Sequence, residues 1–220
     1  MRAKRNIIVV CKENNSRKNH RYFDLNVCTM KNMVDRNCDY DNFVCITDQT
    51  ISDPSIQVIP INDEPKHKSW WSKIEVFNPD LPVEGDCLYI DLDACVMHNI
   101  DCLFEYKPGE PLKMFNDNCC KIGARHIYNS SVIRFTPGDY AHIWHDYQRR
   151  WEYIQAHNFF GDDQYTSALD KSSTCFPLDW ITRYQDNLDP TAHINQKIVI
   201  FGQGVKPWSC ENPQIQGAYT

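Results

Sequence analysis

Two aspartates one residue apart, Asp91 and Asp93, close the segment Cys87-Leu88-Tyr89-Ile90-Asp91-Leu92-Asp93. Paired carboxylates are hard oxygen donors that suit Mg²⁺ or Mn²⁺ and leave coordination positions open for phosphate oxygens. The apolar run before them reads as a buried strand, and in an open α/β sheet ligands bind at the carboxyl ends of strands. Alternation along an extended segment predicts that the two side chains lie on the same side of the chain. A pair of solvated turn aspartates would look the same in isolation, so the surrounding residues must decide.

Other candidates are more scattered. Gly202-Gln203-Gly204-Val205-Lys206-Pro207-Trp208 follows the last apolar run, and its glycines would let backbone approach a phosphate closely, or simply form a turn. Asp162 and Asp163 suit a helix N-terminus as well as a substrate. His142 and His145 are spaced i, i+3, but with no carboxylate or thiol nearby in sequence they read as surface or packing residues.

The elements that must hold these residues alternate. Asn6 to Cys11 is an apolar, β-branched first strand. Phe23, Val27, Met30 and Val34 recur on one helical face. Phe43 to Ile46 and Ile56 to Ile59 read as strands, the latter stopped by Pro60. Ser69 is a candidate cap for a helix carrying Trp70, Trp71, Ile74 and Phe77, ended by Pro79. The strand ending at Asp91 follows. This βαβ-type order predicts a mostly parallel sheet. In the second half, Leu112 to Phe115, Ser131 to Phe135 and Ile198 to Phe201 read as strands. Thr136-Pro137 reads as the start of a helix whose stripe Tyr140, Ile143, Trp144, Tyr147, Trp151 and Ile154 belongs to the core. Most of the remaining aromatics of that half (Tyr153, Phe159, Phe160, Trp180) read as core too, though they could stack sugars.

Composition narrows the classes. A chain of 220 residues, 42% hydrophobic and 24% charged, fits one domain with a real core. A net charge of −6 argues against nucleic acid as the main partner. The eleven cysteines contain no Cys-x-x-Cys pair, and Cys28, Cys45, Cys87 and Cys95 sit among apolar residues as small hydrophobes. No apolar run is long enough for a signal peptide or a membrane span. These features predict a reduced, soluble, intracellular protein of the cytoplasm, that of a host cell if the chain is viral.

The order of landmarks goes further. Trp70-Trp71-Ser72-Lys73-Ile74-Glu75-Val76-Phe77 is followed by the Asp91/Asp93 segment, then Asn129-Ser130-Ser131-Val132, then Asp162-Asp163-Gln164, then Gly204-Val205-Lys206-Pro207-Trp208. This succession, over roughly Asn6 to Trp208, resembles the GT-A glycosyltransferases, closest to glycosyltransferase family 8 and its small microbial and viral relatives. The resemblance implies a single GT-A α/β domain over 1–220, with a mostly parallel central sheet, helices on both faces, a donor-binding half at about 1–110 and an acceptor-side half at about 111–220. It implies sugar transfer from a nucleotide-sugar donor, a UDP-sugar, with Mn²⁺ or Mg²⁺ and retention of configuration, to an unidentified carbohydrate or protein acceptor.

Carried over residue by residue, Asp91 and Asp93 hold the metal and Asp91 also contacts the ribose. Lys206 stabilises the departing diphosphate, and Gly204 lets the loop approach it. Lys73 reaches the donor phosphates, Asn129 and Gln164 lie beside the donor sugar, and Asp163 contacts that sugar and stabilises the transition state. Asp48, after the second strand, sits where relatives bind base and ribose. Relatives often have a His before the glycine-bearing segment as a third metal ligand. This chain has Phe201-Gly202-Gln203, so Gln203 or water would take that place, and metal dependence is the property this departure bears on. Two other classes compete: a nucleotide-sugar binding module without turnover, and a haloacid-dehalogenase-like phosphatase, which also begins from an apolar strand and Asp-x-Asp.

Overall fold

The computed structural model describes residues 2–12, 22–61, 64–108, 110, 113–122, 125–158, 161–169, 174–184, 191, 193–202 and 204–220. Its strands are β1 (Arg5–Cys11), β2 (Asn42–Thr47), β3 (Gln57–Pro60), β4 (Asp86–Ile90), β5 (Ala94–Val96), β6 (Lys113–Ile122), β7 (Arg125–Phe135), β8 (Thr174–Cys175), β9 (Ile181–Arg183) and β10 (Ile198–Ile200). The α-helices are α1 (Asp24–Asn37), α2 (Asp101–Glu105), α3 (Ala141–His157), α4 (Gly161–Leu169) and α5 (Pro213–Ala218). A 3₁₀ helix, Ser69–Phe77, precedes β4.

The main sheet has the order β3-β2-β1-β4-β7-β6-β8. β1 pairs in parallel with β2 and β4, placing Ile7 opposite Phe43 and Leu88. β4 meets β7 antiparallel, with Ile90 opposite Val132. A second sheet, β5-β10-β9, lies beyond Asp93. A strand covered on both faces needs apolar side chains on both, which is why β1 is a continuous apolar run rather than an alternating one. Ile7, Val9 and Cys11 pack with Val27, Met30 and Val34 of α1. Ile8 and Val10 pack on the opposite face with Trp71, Ile74 and Phe77 of the 3₁₀ helix and Ile143 and Tyr147 of α3. The predicted α/β architecture, with helices on both faces of a mostly parallel sheet, is the one observed.

Several local expectations change. Ser69 does not cap a helix: it is the first residue of the 3₁₀ helix, with φ +57. Thr136-Pro137 opens a turn rather than α3, because Gly138 adopts φ +90 and the helix begins only at Ala141. The aromatic stripe of α3 is core as expected: Tyr140, Ile143, Tyr147 and Ile154 are buried, and Trp144 and Trp151 pack against them. The strands read at Leu112–Phe115 and Ser131–Phe135 belong to a much longer hairpin, β6–β7. Its polar stretch, from Asn116 to Ser131, carries no hydrophobic periodicity, so pairing rather than pattern defines it. Leu112, Phe159 and Phe160 lie outside the described residues.

Candidate active site

β4 ends at Ile90, and Asp91-Leu92-Asp93 forms a turn closed by the Ala94 N–H donating to the Asp91 carbonyl at 3.0 Å. The Asp91 N–H is still tied to the sheet, donating to the Ser131 carbonyl at 2.8 Å. Leu92 is buried in the core beside Leu88 and Ile90. Asp91 and Asp93 both line a cavity of about 300 Å³. They do share one site, but a turn anchored by Leu92 brings them there, not the alternation of an extended strand.

Each carboxylate faces an ammonium. Lys73 Nζ lies 3.1 Å from Asp91 and 3.1 Å from Asp162, and donates to Ser130 Oγ at 2.9 Å. The Tyr89 hydroxyl also donates to Asp91. Lys206 Nζ pairs with Asp93 and donates to the Gly202 carbonyl at 3.1 Å. The Tyr22 hydroxyl donates to the same Asp93 oxygen at 2.9 Å. Asp163 Oδ1 accepts from the Ser130 N–H at 2.7 Å, and Ser130 Oγ donates to Asp162. Asn129 turns its Oδ1 onto the Ser131 N–H at 2.8 Å while still lining the cavity.

Of the residues read from sequence, the cavity therefore unites Asp91, Asp93, Lys73, Asn129, Asp163, Lys206 and Gly202. Gln164 and Gly204 are not on its wall. Asp48 is not there either, but it pairs at 3.3 Å with Lys12, which is. Gln203 lies outside the described residues. Sequence reasoning missed Lys12, Tyr22, Trp70 and Arg183, all wall residues, and the buried Lys73–Asp162–Ser130 contact. Asp162 had a signal, its adjacency to Asp163, but helix capping accounted for it. Arg183 had none, since β9 is only three residues long.

No protein-family model and no curated protein sequence matches the chain. Solved structures do. The galactosyltransferase LgtC, in complex with donor and acceptor sugar analogues, superposes with a TM-score of 0.72 at 12% identity over 96% of this chain and 93% of that one. The glycosyltransferase GlyE of Streptococcus pneumoniae TIGR4 gives 0.68 at 15% identity, covering 93% of this chain and 57% of its own. The bifunctional glycosyltransferase WbbM, in its apo form, gives 0.67 at 11% identity, covering 100% and 50%. The chain has the GT-A fold.

In this GT-A fold the charges of the cavity are strongly coupled. Burial, with the negative charge of Asp162, raises the Asp163 carboxyl to about 7, against the pull of Lys73 and the Ser130 hydrogen bond. Burial and the Asp91 charge raise Asp93, although Lys206 and Tyr22 oppose the shift. Burial disfavours the Lys73 ammonium, but Asp162, Asp91 and Asp163 outweigh it and push its pKa above the lysine value. Burial and then the Asp93 charge hold the Tyr22 phenol well above its usual range. Burial is the larger cause of the Asp93 shift, and a cation placed between the two carboxylates would offset the Asp91 repulsion that adds to it. Asp91 and Asp93 thus fit a hard divalent ion as a two-carboxylate donor set. Among the described residues no group of three or more His, Cys, Asp or Glu is arranged for a metal. The remaining positions would fall to water and substrate phosphate oxygens, the usual arrangement for Mg²⁺. No described helix is long and apolar enough to cross a membrane.

Proposed function

We propose that this chain transfers a sugar from a nucleoside-diphosphate donor, a UDP-sugar, to an acceptor, with Mn²⁺ or Mg²⁺ held by Asp91 and Asp93. One observation carries the reading: in a GT-A fold, the two carboxylates of the β4–β5 turn share a cavity with Lys73, Arg183 and Lys206, and with Lys12 after β1. Such cations attract an anionic diphosphate, while the carboxylates by themselves would repel it unless a cation stood between. The bound metal would act as a Lewis acid on the diphosphate leaving group.

The chain's own residues supply the rest. Lys206, next to the Gly202 carbonyl, exchanges Asp93 for a phosphate oxygen and neutralises charge as it grows on the leaving group. Lys73 is fixed by Asp91, Asp162 and Ser130, so it presents a positive charge without paying to be ordered when substrate arrives. Lys12 and Asp48, beyond β1 and β2, face the nucleoside end. Asn129 and Asp163 face the sugar. An inverting transfer needs a carboxylate base at the acceptor hydroxyl. The Asp163-Gln164 order resembles that of retaining relatives, so Asp163 is assigned instead to the donor sugar and the oxocarbenium-like transition state, and retention of configuration is the outcome this assignment expects. The phosphatase alternative has no support in this fold, whose structural neighbours named above are glycosyltransferases.

The test is a panel of nucleotide sugars incubated with the protein and with simple methyl glycosides as acceptors, with Mn²⁺ and with chelator, with nucleoside-diphosphate release and product anomeric protons followed by NMR. Metal-dependent release with an α-linked product from an α-linked donor is the expected result. No release with any donor, or a β-linked product, would count against the reading.

A further inference from the structure

We propose that Trp70 is a stacking platform for a pyranose ring of the acceptor, which makes the acceptor a carbohydrate. The proposal rests on the sugar-transfer reading and assigns a part of the cavity which that reading leaves unused.

Trp70 and Trp71 are adjacent but differently placed. Trp71 is 5% exposed and stacks on Tyr147 with ring centroids 5.4 Å apart and planes 16° apart. Trp70 is 37% exposed and lines the cavity. An indole left in contact with water forgoes a large burial gain, so the fold has spent little to hide it. Its position is nonetheless built. Ser69 holds the left-handed φ of +57, a conformation disfavoured for a residue with a side chain, at the start of the 3₁₀ helix on which Trp71 is buried and Trp70 is not. On the other side the indole rests on the first residue of α4. A methyl group at Gly161 would come within 2.3 Å of Trp70 Nε1 and 2.7 Å of Cδ1. Glycine at 161 is therefore required both by its φ of +67 and by the indole lying against it.

Topology says which end of the cavity this is. Lys12 and Asp48 follow β1 and β2, Asp91 and Asp93 follow β4, and Asn129 lies on β7; the sheet carries these strands in the order β2-β1-β4-β7. α4 packs on β7 and on the 3₁₀ helix. Trp70, on the 3₁₀ helix and resting against Gly161 of α4, is at the end opposite the proposed nucleoside contacts and beyond the diphosphate contacts. A donor laid along this line puts its sugar by Asn129 and Asp163, and the next group in line is the acceptor. An apolar aromatic wall beside a carboxyl and an amide suits a pyranose, which has an apolar C–H face and a hydroxyl rim. A serine or threonine side chain of a protein acceptor has no such face.

The probes are methyl α-glucopyranoside and methyl β-galactopyranoside, titrated by saturation-transfer NMR into the whole chain with UDP and Mn²⁺. Wild type should transfer saturation to the ring C–H protons of at least one probe. Trp70→Ala should weaken that probe about tenfold, and Trp70→Phe, which keeps a flat ring, by much less. UDP affinity should change less than twofold in both variants. The Phe variant guards against a folding defect in the Ala variant. Equal sugar affinity in wild type and Trp70→Ala would overturn the platform, and so would loss of UDP affinity instead, which would make Trp70 a base-stacking residue. If wild type also releases UDP from a UDP-sugar, the transfer reading survives that failure. If it neither releases UDP nor binds a pyranoside, both fall.

Discussion

Asp163→Asn should make the protein more stable at neutral pH while reducing its activity. The Asp163 carboxyl lies at about 7 in the fold, against 3.8 for an unperturbed aspartate, because burial and Asp162 both disfavour its charge. A folded pKa above the unfolded one means that the native state binds more protons between the two values. The associated stability is complete below about pH 4 and is lost as pH rises through about 7. Between pH 5 and pH 8 the unfolded carboxyl is already ionised while the native one must give up its proton. The loss over that interval is about 3 kcal/mol at most. Asp163 is half-buried on the cavity wall, and screening by cavity water brings the expected figure to about 2 kcal/mol. Asparagine keeps an oxygen for the Ser130 N–H and does not titrate. Urea unfolding of both proteins at pH 5, 6, 7 and 8, followed by tryptophan fluorescence, should therefore show the variant gaining about 2 kcal/mol on wild type across the series. A gap that stays constant with pH would refute the burial argument. A gap that opens in favour of wild type would mean that Lys73 dominates Asp163 and holds its pKa down.

Three further outcomes are expected. Asp93→Asn should abolish metal-dependent binding of UDP, and calorimetry finding the wild-type affinity for UDP with Mn²⁺ would remove Asp93 from the donor set. Lys206→Ala should lower kcat about 10²-fold with a smaller change in KM, as for loss of one charge-stabilising donor; normal turnover would show that the Asp93 pair is only structural. Arg134 is buried and donates to the carbonyls of Phe104 at 3.0 Å and of Lys107 and Glu110 at 3.1 Å each. Arg134→Ala should strand these acceptors and cost about 3 kcal/mol or more, measured by urea unfolding, without abolishing binding at the distant cavity.

The sequence by itself determined the frame. β1, β2, β4 and α1 were legible because their side chains answer to local rules. A strand buried on both faces must be continuously apolar, and a helix on one face must repeat every three or four residues. The Asp91/Asp93 pair was legible as two carboxylates at the end of β4, whereas Lys206, Asn129 and Asp163 were singled out by the resemblance, and the cavity wall holds all three. Tertiary structure alone decided how they meet. Lys73 reaches Asp162, 89 positions away, and Tyr22 reaches Asp93 across 71. No local pattern encodes those pairings, because they depend on how separate elements pack. The polar β6–β7 hairpin and the short β9 are stabilised by partners rather than by their own periodicity. The two tryptophans at 70 and 71 make the same point: nothing in the dipeptide says which ring is core and which faces the cavity. Packing separates them: Trp71 stacks on Tyr147 in the core, while Trp70 lies against Gly161 at the cavity wall.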